Sequence, residues 1–448
     1  MTLPLQTLQR LVDLCDPDRP LEAGSAQYIP LDSDPPVRGR VSCIDTMYRT
    51  IMLTKGRESC QLFTGFPGTG KTTELRRLKA KLHEAAQPSA YAISIDFESY
   101  IDLFTPPTIM DIVRVLAYCL DQAADKAEGK DQEAAPAYSR RLFTYIAKTS
   151  PTLKEIGFEA FGASLMLEFK NNPSFRQLAE EAVRSRFQQF VREARDTMTE
   201  AVIRIRKAVG GKADCLVVIA DGLEKFRPIR EDDRQVMEGA IETLFLSHHD
   251  LLRVPCHIIY TFPVWLRFRS APLGAGYSRE PLVLPMVKIR EQDGTDAEAG
   301  VQKMLSLVRR RLDPDPTLVF RADQEDLLRR LIAASGGYPR DLLRMVRTLL
   351  MESPTFPVRA EDVDQVIRDL RRVYHDTVLG TYAPVLARVA ETHALPNADP
   401  SQLALFGYLF ERWLIFAYRN GEEWFDVHPL IRDAPNLKHL VGAPGEHG

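Results

Sequence analysis

Residues able to do chemistry first gather at Gly65-Phe66-Pro67-Gly68-Thr69-Gly70-Lys71-Thr72-Thr73. The pattern Gly65-x-x-x-x-Gly70-Lys71-Thr72 is that of a phosphate-binding loop. Its glycines let successive backbone N–H groups turn inward around an anion, and a following helix adds its positive end. Lys71 would reach the β- and γ-phosphates of a nucleotide, and the Thr72 hydroxyl would ligate Mg2+. A second group follows far downstream, where Cys215-Leu-Val-Val-Ile-Ala-Asp221-Gly-Leu-Glu224 closes an apolar run with two carboxylates. Asp221 is suited to holding Mg2+ beside Thr72, and Glu224 to polarising an attacking water. A third run, His257-Ile-Ile-Tyr-Thr261, ends on a hydroxyl suited to sensing the γ-phosphate.

These groups need a sheet whose strand ends share one edge. The run ending at Gly65, Tyr91–Asp96, Cys215–Asp221, His257–Thr261 and Leu282–Ile289 supply the expected strands. The apolar run Leu216–Ala220 is what a parallel strand buried on both faces requires. A parallel sheet opens its ligand crevice at the carboxyl ends of its strands. Helices are expected at 44–54, before the loop, and at 74–86, after it. From about 106 to 211 the pattern is helical, with three- and four-residue apolar steps through Ser174–Val209, and reads as an insertion. Within it, Phe161–Phe169 is expected to be a small strand before the Asn171-Asn172-Pro173 turn. Val37-Arg38-Gly39-Arg40, upstream of the loop, is a candidate for contact with the base.

Beyond the sheet, helices are expected at 299–312, 324–334, 360–372 and 381–392, and Gly336-Gly337-Tyr338-Pro339 breaks one helix and starts another. A helix ending near Arg412 then meets Leu414–Tyr418 and Glu423–Val427, joined around Asn420-Gly421, a hairpin turn signal. Helix, hairpin and closing helix make a winged-helix domain. The expected organisation is an N-terminal helix and linker (1–36, ending Asp34-Pro35-Pro36), an ATPase domain (37–290), a helical lid (291–380) and the winged helix (381–448).

Composition sets outer bounds. At 448 residues, 45% hydrophobic and 27% charged, the chain has room for two or three globular domains. A net charge of −3 advertises no nucleic-acid binder. In the winged helix, Arg412, Arg419 and Arg432 face Glu411, Glu422, Glu423, Asp426 and Asp433, the wrong balance for neutralising phosphates. The cysteines are scattered without metal-type spacing, and no signal peptide or long apolar run is present, so a cytoplasmic protein without membrane contact is expected.

Four separated features together resemble the STAND-class signalling ATPases, the NACHT and NB-ARC switch proteins within the AAA+-like P-loop group. They are the Gly65–Thr72 loop; Asp221-Gly-Leu-Glu224, similar to the NACHT form of the second motif; Gly337-Tyr338-Pro339, similar to the family's GxP; and Tyr418–Asp433, where Val427-His428-Pro429 stands for Met-His-Asp. The resemblance implies an α/β, parallel-sheet P-loop NTPase domain with a helical insertion, an α-helical lid and a C-terminal winged-helix domain. It implies that ATP or ADP binds with Mg2+, that Pro339 with Arg340 meets the nucleotide from the lid, and that His428 contacts the β-phosphate of ADP. The NACHT sensor Thr-Ser-Arg-Pro stands here as Tyr260-Thr261-Phe262-Pro263, without its arginine. Lys225 stands where such proteins often carry a second acid, which implies slow hydrolysis. Bacterial members commonly serve in defence or regulatory operons, so self-assembly or a separately encoded effector or sensor protein is the implied partner. DNA-engaging ATPases of the origin-recognition or transposition-loader type share the three-part layout and remain the alternative; the acidic winged helix points away from them.

Overall fold

The computed structural model describes residues 3–32, 36–39, 41–54, 57–130, 141, 163–184, 186–210, 214–269, 273–314, 316–378, 380–396, 400–420 and 422–440. The Asp34-Pro35 linker, Arg40, Gly421 and 142–162 of the insertion lie outside these residues. The chain divides into two compact units. One comprises Met1–Thr46, Gly65–Arg77 and Val283–Gly448; the other comprises Met47–Thr64 and Leu78–Leu282.

The second unit is built on strands β1 (Cys60–Gly65), β2 (Ala90–Asp96), β3 (Cys215–Asp221) and β4 (His257–Thr261). With β5 (Leu282–Leu284) they form a five-stranded sheet of order β2–β3–β4–β1–β5. The pairings β2–β3, β3–β4 and β4–β1 are parallel. β3 and β4 are buried along almost their whole length, as central parallel strands covered on both faces are, whereas β2 at the edge alternates. The register aligns Asp96 with Asp221, and Phe63 with Thr261, so the polar ends of β1 to β4 lie along one sheet edge. Four helices of the insertion are Ile109–Ala127, Ala163–Asn171, Pro173–Arg184 and Phe187–Ala208. The first starts at a reciprocal cap between Thr108 and Asp111. The expected strand at 161–169 is instead the helix Ala163–Asn171. Leu165, Leu167 and Phe169 mimic a two-residue period, but Leu167 is half exposed while Met166 is buried. The buried set 165, 166 and 169 follows a helical step.

The first unit holds the phosphate-loop segment, a helical lid and the C-terminal region. The lid consists of Glu298–Arg311, Glu325–Ser335, Pro339–Glu352 and Ala360–His375. Helices Ala383–Thr392 and Pro400–Glu411 follow, then an antiparallel hairpin of β6 (Ile415–Asn420) and β7 (Glu422–Val427), and a short helix Pro435–Lys438. The sheet strand expected through Ile289 stops at Leu284. Beyond it the backbone spends its donors elsewhere: Met286 N–H on Ala417 O, Val287 N–H on Gly337 O and Lys288 N–H on Val37 O. Three successive amides thus bind the hairpin, the lid and the upstream segment. The molecule is an α/β P-loop fold carrying a helical lid and a C-terminal hairpin region.

Gly337 is what allows the middle bond. Its φ is +80°, and a Cβ there would lie 1.8 Å from Val287 O. Gly337→Ala should destabilise the protein by about 2–4 kcal/mol in chemical denaturation. Gly294→Ala, with φ +86° but open space around it, should cost only about 1 kcal/mol. Equal losses would refute the steric argument.

Candidate functional site

The phosphate loop leaves the carboxyl end of β1 and enters the helix Lys71–His83. Gly68 and Gly70 sit at φ +81° and +95°, and a Cβ on Gly70 would meet nothing within 4 Å. Left-handed glycines alternating with ordinary residues turn backbone N–H groups to one side, which is the cradle an anion needs. The first helical bond is Glu74 N–H to Gly70 O, so the amides of Lys71, Thr72 and Thr73 precede the ladder. The Lys71 ammonium donates to Gly65 O at 2.9 Å and Phe66 O at 3.2 Å, and Thr69 Oγ1 closes the loop on Phe66 O at 2.8 Å. These residues fit a nucleotide's phosphates by cradle shape and by charge. Arg38, buried, donates to Thr69 O at 2.8 Å, so the upstream segment braces the loop through a side chain.

The lid and the C-terminal region grip the same loop. Tyr338 Oη donates to Pro67 O at 2.7 Å, and Trp413 Nε1 donates to the same oxygen at 3.2 Å. Burial holds the Tyr338 phenol far above its ordinary pKa, so it remains a donor. Trp413 pays for its position with φ +57°, a conformation that side-chain-bearing residues rarely adopt. Phe66 is fully buried and meets Phe410 and Phe416 edge-on at 5.5 and 6.3 Å. The Arg340 side chain lies against Gly68, its Cδ and Nε 2.8 Å from where a Cβ would stand. Pro339 is buried at the first position of its helix, as expected of a proline there.

His428 has a different setting from the one its motif suggests. It is 0% exposed, and its Nδ1 accepts from Leu430 N–H at 3.1 Å while Nε2 faces Asp341 Oδ2 at 3.2 Å. That pattern fixes the neutral tautomer with the proton on Nε2. Tyr374 stacks on the ring at 4.0 Å and donates its own hydroxyl to Asp341 Oδ2 at 2.6 Å. Nε2 therefore serves a joint between the lid and the hairpin, Nδ1 caps the turn that follows β7, and both ring nitrogens are engaged by protein groups.

In the other unit, Asp221, Glu224 and Thr261 converge on a single donor. Gly222 N–H, at φ +99°, faces Asp221 Oδ1 at 3.0 Å, Glu224 Oε2 at 3.2 Å and Thr261 Oγ1 at 3.0 Å. Two acids beyond the sequence expectation border this cluster. A Cβ on Gly222 would lie 3.0 Å from Asp96 Oδ1, and Glu98 pairs with Lys225 at 2.5 Å. The bond from Lys225 holds the Glu98 carboxyl below its ordinary pKa. Sequence reasoning also missed Arg38, Tyr338 and Trp413 as loop contacts. Arg38 and Tyr338 lie in segments singled out on other grounds, but nothing in residue type or spacing announces that these side chains or Trp413 bind the loop itself, because each reaches it only through tertiary packing.

The chain matches no family model and no curated protein. Among solved structures it is similar to a Walker-type ATPase of Pyrococcus abyssi, at 15% identity and TM-score 0.40 over 95% of this chain and 99% of that one. It is similar to the Aeropyrum pernix ORC2 protein in ADPNP–ADP complexes, at 11% identity and TM-score 0.36 over 97% of each chain. A structure of Drosophila ORC bound to DNA gives 12% identity and TM-score 0.36, covering 99% of this chain and 94% of that one.

Burial lowers the pKa of His428 below its ordinary 6.5, although Asp341 opposes that shift. The unfolded chain then binds a proton that the native joint refuses, so stability falls as pH drops through and below about 6.5. The thermal midpoint of the wild type should lose this component between pH 7.5 and 5, and His428→Gln should lack it. An identical pH dependence in both proteins would refute the assignment.

Proposed function

We propose that this chain is an ATP- and ADP-binding P-loop ATPase that works as a molecular switch of the STAND type. The observation that carries the reading is the shared acceptor Pro67 O, on which one donor from the lid and one from the C-terminal region meet. Any ligand that reshapes the loop must alter both contacts. A ligand can bias such an equilibrium only through its different contacts with the two states. Here those contacts lie at the loop itself.

Within this reading Gly65–Thr73 cradles the phosphates and Lys71 neutralises them. Thr72 and Asp221 would hold Mg2+; a hydroxyl and a carboxylate are the oxygen donors that ion takes. When bound, the ion offsets charge on the β- and γ-phosphates. Glu224 orients the attacking water, and Thr261 senses the terminal phosphate. Pro339 and Arg340 bring the lid to the nucleotide. His428 serves by coupling the hairpin to the lid through Asp341. Slow hydrolysis resets the switch, and its output is self-assembly or engagement of a separate effector in the cytoplasm, in a bacterial defence or signalling system. The C-terminal helices and hairpin act as a winged helix that faces protein. Among the described residues no helix is long and apolar enough to cross a membrane.

ATP should bind the wild type and change its intrinsic fluorescence. Lys71→Ala should abolish binding, while Trp413→Phe should still bind and lose most of the spectral change. An unaltered spectrum upon ATP saturation of the wild type would contradict the switch. The DNA-engaging alternative predicts instead ATP-dependent, salt-sensitive retention of the protein on duplex DNA.

A further inference from the structure

The segment that precedes Arg38 is not an idle tail. Leu21 N–H donates to Thr73 Oγ1 at 3.1 Å, and Arg76 Nη1 donates to Pro20 O at 3.0 Å and pairs with Glu22 at 2.6 Å. Tyr28 Oη donates to Glu74 Oε1 at 3.1 Å. Residues 20–28 are therefore strung along the first turns of the phosphate-loop helix. Just before them, Asp18 Oδ1 sits 2.7 Å from Arg340 Nη2.

Arg340 is the guanidinium lying against Gly68. Its Nε–H is buried and has no hydrogen-bond partner among the described residues. The guanidinium is thus answered by a carboxylate and interacts with the neighbouring Tyr338 hydroxyl, while its Nε–H has no partner among the described residues. The Asp18 side chain is 72% exposed, so the pair is weak and open to competition from water and ions. A nucleotide's phosphates accept from a planar guanidinium in pairs as a carboxylate does, but carry more charge than a lone exposed carboxylate, so they compete with it for Arg340.

We propose that Asp18 sets the nucleotide preference of the loop by occupying Arg340 in competition with the ligand's phosphates. The inference rests on the nucleotide reading of the loop. Competition for one guanidinium grows with the charge the ligand offers, so Asp18 weighs more against ATP than against ADP. Binding of the triphosphate releases Asp18, and the strand of chain from Asp18 to Tyr28 is loosened at one end. The N-terminal segment becomes an element that reports which nucleotide is bound.

The test measures dissociation constants for Mg-ATP and Mg-ADP in the wild type, Asp18→Asn, Arg340→Gln and the double variant. Asp18→Asn should tighten ATP about two- to five-fold and ADP clearly less. In the Arg340→Gln background the same substitution should change neither. Equal shifts for both nucleotides, no shift, or a shift that persists without Arg340 would each overturn the proposal. A wild type that binds neither nucleotide would instead overturn the reading of the loop itself, and this inference with it.

Discussion

One carbonyl oxygen, that of Pro67, takes hydrogen bonds from Tyr338 and Trp413. A carbonyl has two lone pairs, so both donors can be served at once. Each bond is worth about 1 kcal/mol net, and burying Phe66 between Phe410 and Phe416 adds roughly 2 kcal/mol. Against this stands the left-handed Trp413, which costs about 1–3 kcal/mol. Strain of that size persists only where surrounding contacts over-determine the residue. Here they do, and the strained residue is one that touches the phosphate loop.

The rest of this unit explains how the two donors are delivered. Three consecutive amides, Met286 to Lys288, hold the hairpin, the lid and the segment at Val37 on one short stretch of chain. Gly337 makes the approach to Val287 possible, and the Asp341–Tyr374–His428 cluster locks the helix that follows Tyr338 to the end of β7. The phenol and the neutral imidazole both meet Oδ2 of the buried carboxylate, while Oδ1 has no hydrogen-bond partner among the described residues and faces the Arg344 guanidinium at 3.6 Å, so the joint is directional. Tyr338 and Trp413 are thereby placed by two elements that are themselves tied together.

Much of this was legible in the sequence. The strand–loop–helix around Gly65–Thr72, the carboxylate-ended strand at Asp221, the strand ending at Thr261 and the hairpin around 420 all follow from period, burial pattern and turn chemistry. The errors have physical causes. Leu165, Leu167 and Phe169 alternate by accident on a helix. The apolar stretch to Ile289 looks like a strand because alternating burial does not reveal which partner a backbone amide will find. Separately, Val427-His428-Pro429 carries a histidine whose type fits a phosphate contact, and its motif gives no sign of the partner at Asp341, 87 residues away, that it meets besides the local Leu430. Tyr338 and Trp413 bring ordinary aromatic residues to the loop through contacts hundreds of residues apart, which no local pattern encodes.

The central claim is that the phosphate loop and its two clamping elements move as one. Amide hydrogen exchange followed in ADP-loaded and ATP-loaded protein tests it most directly, read at Gly68–Thr73, at Gly337–Leu342 and at Leu414–Tyr418. The account predicts that all three segments change together, at the same nucleotide concentration, on replacing ADP by ATP. Protection confined to Gly68–Thr73, with the lid and hairpin segments unaltered, would contradict it.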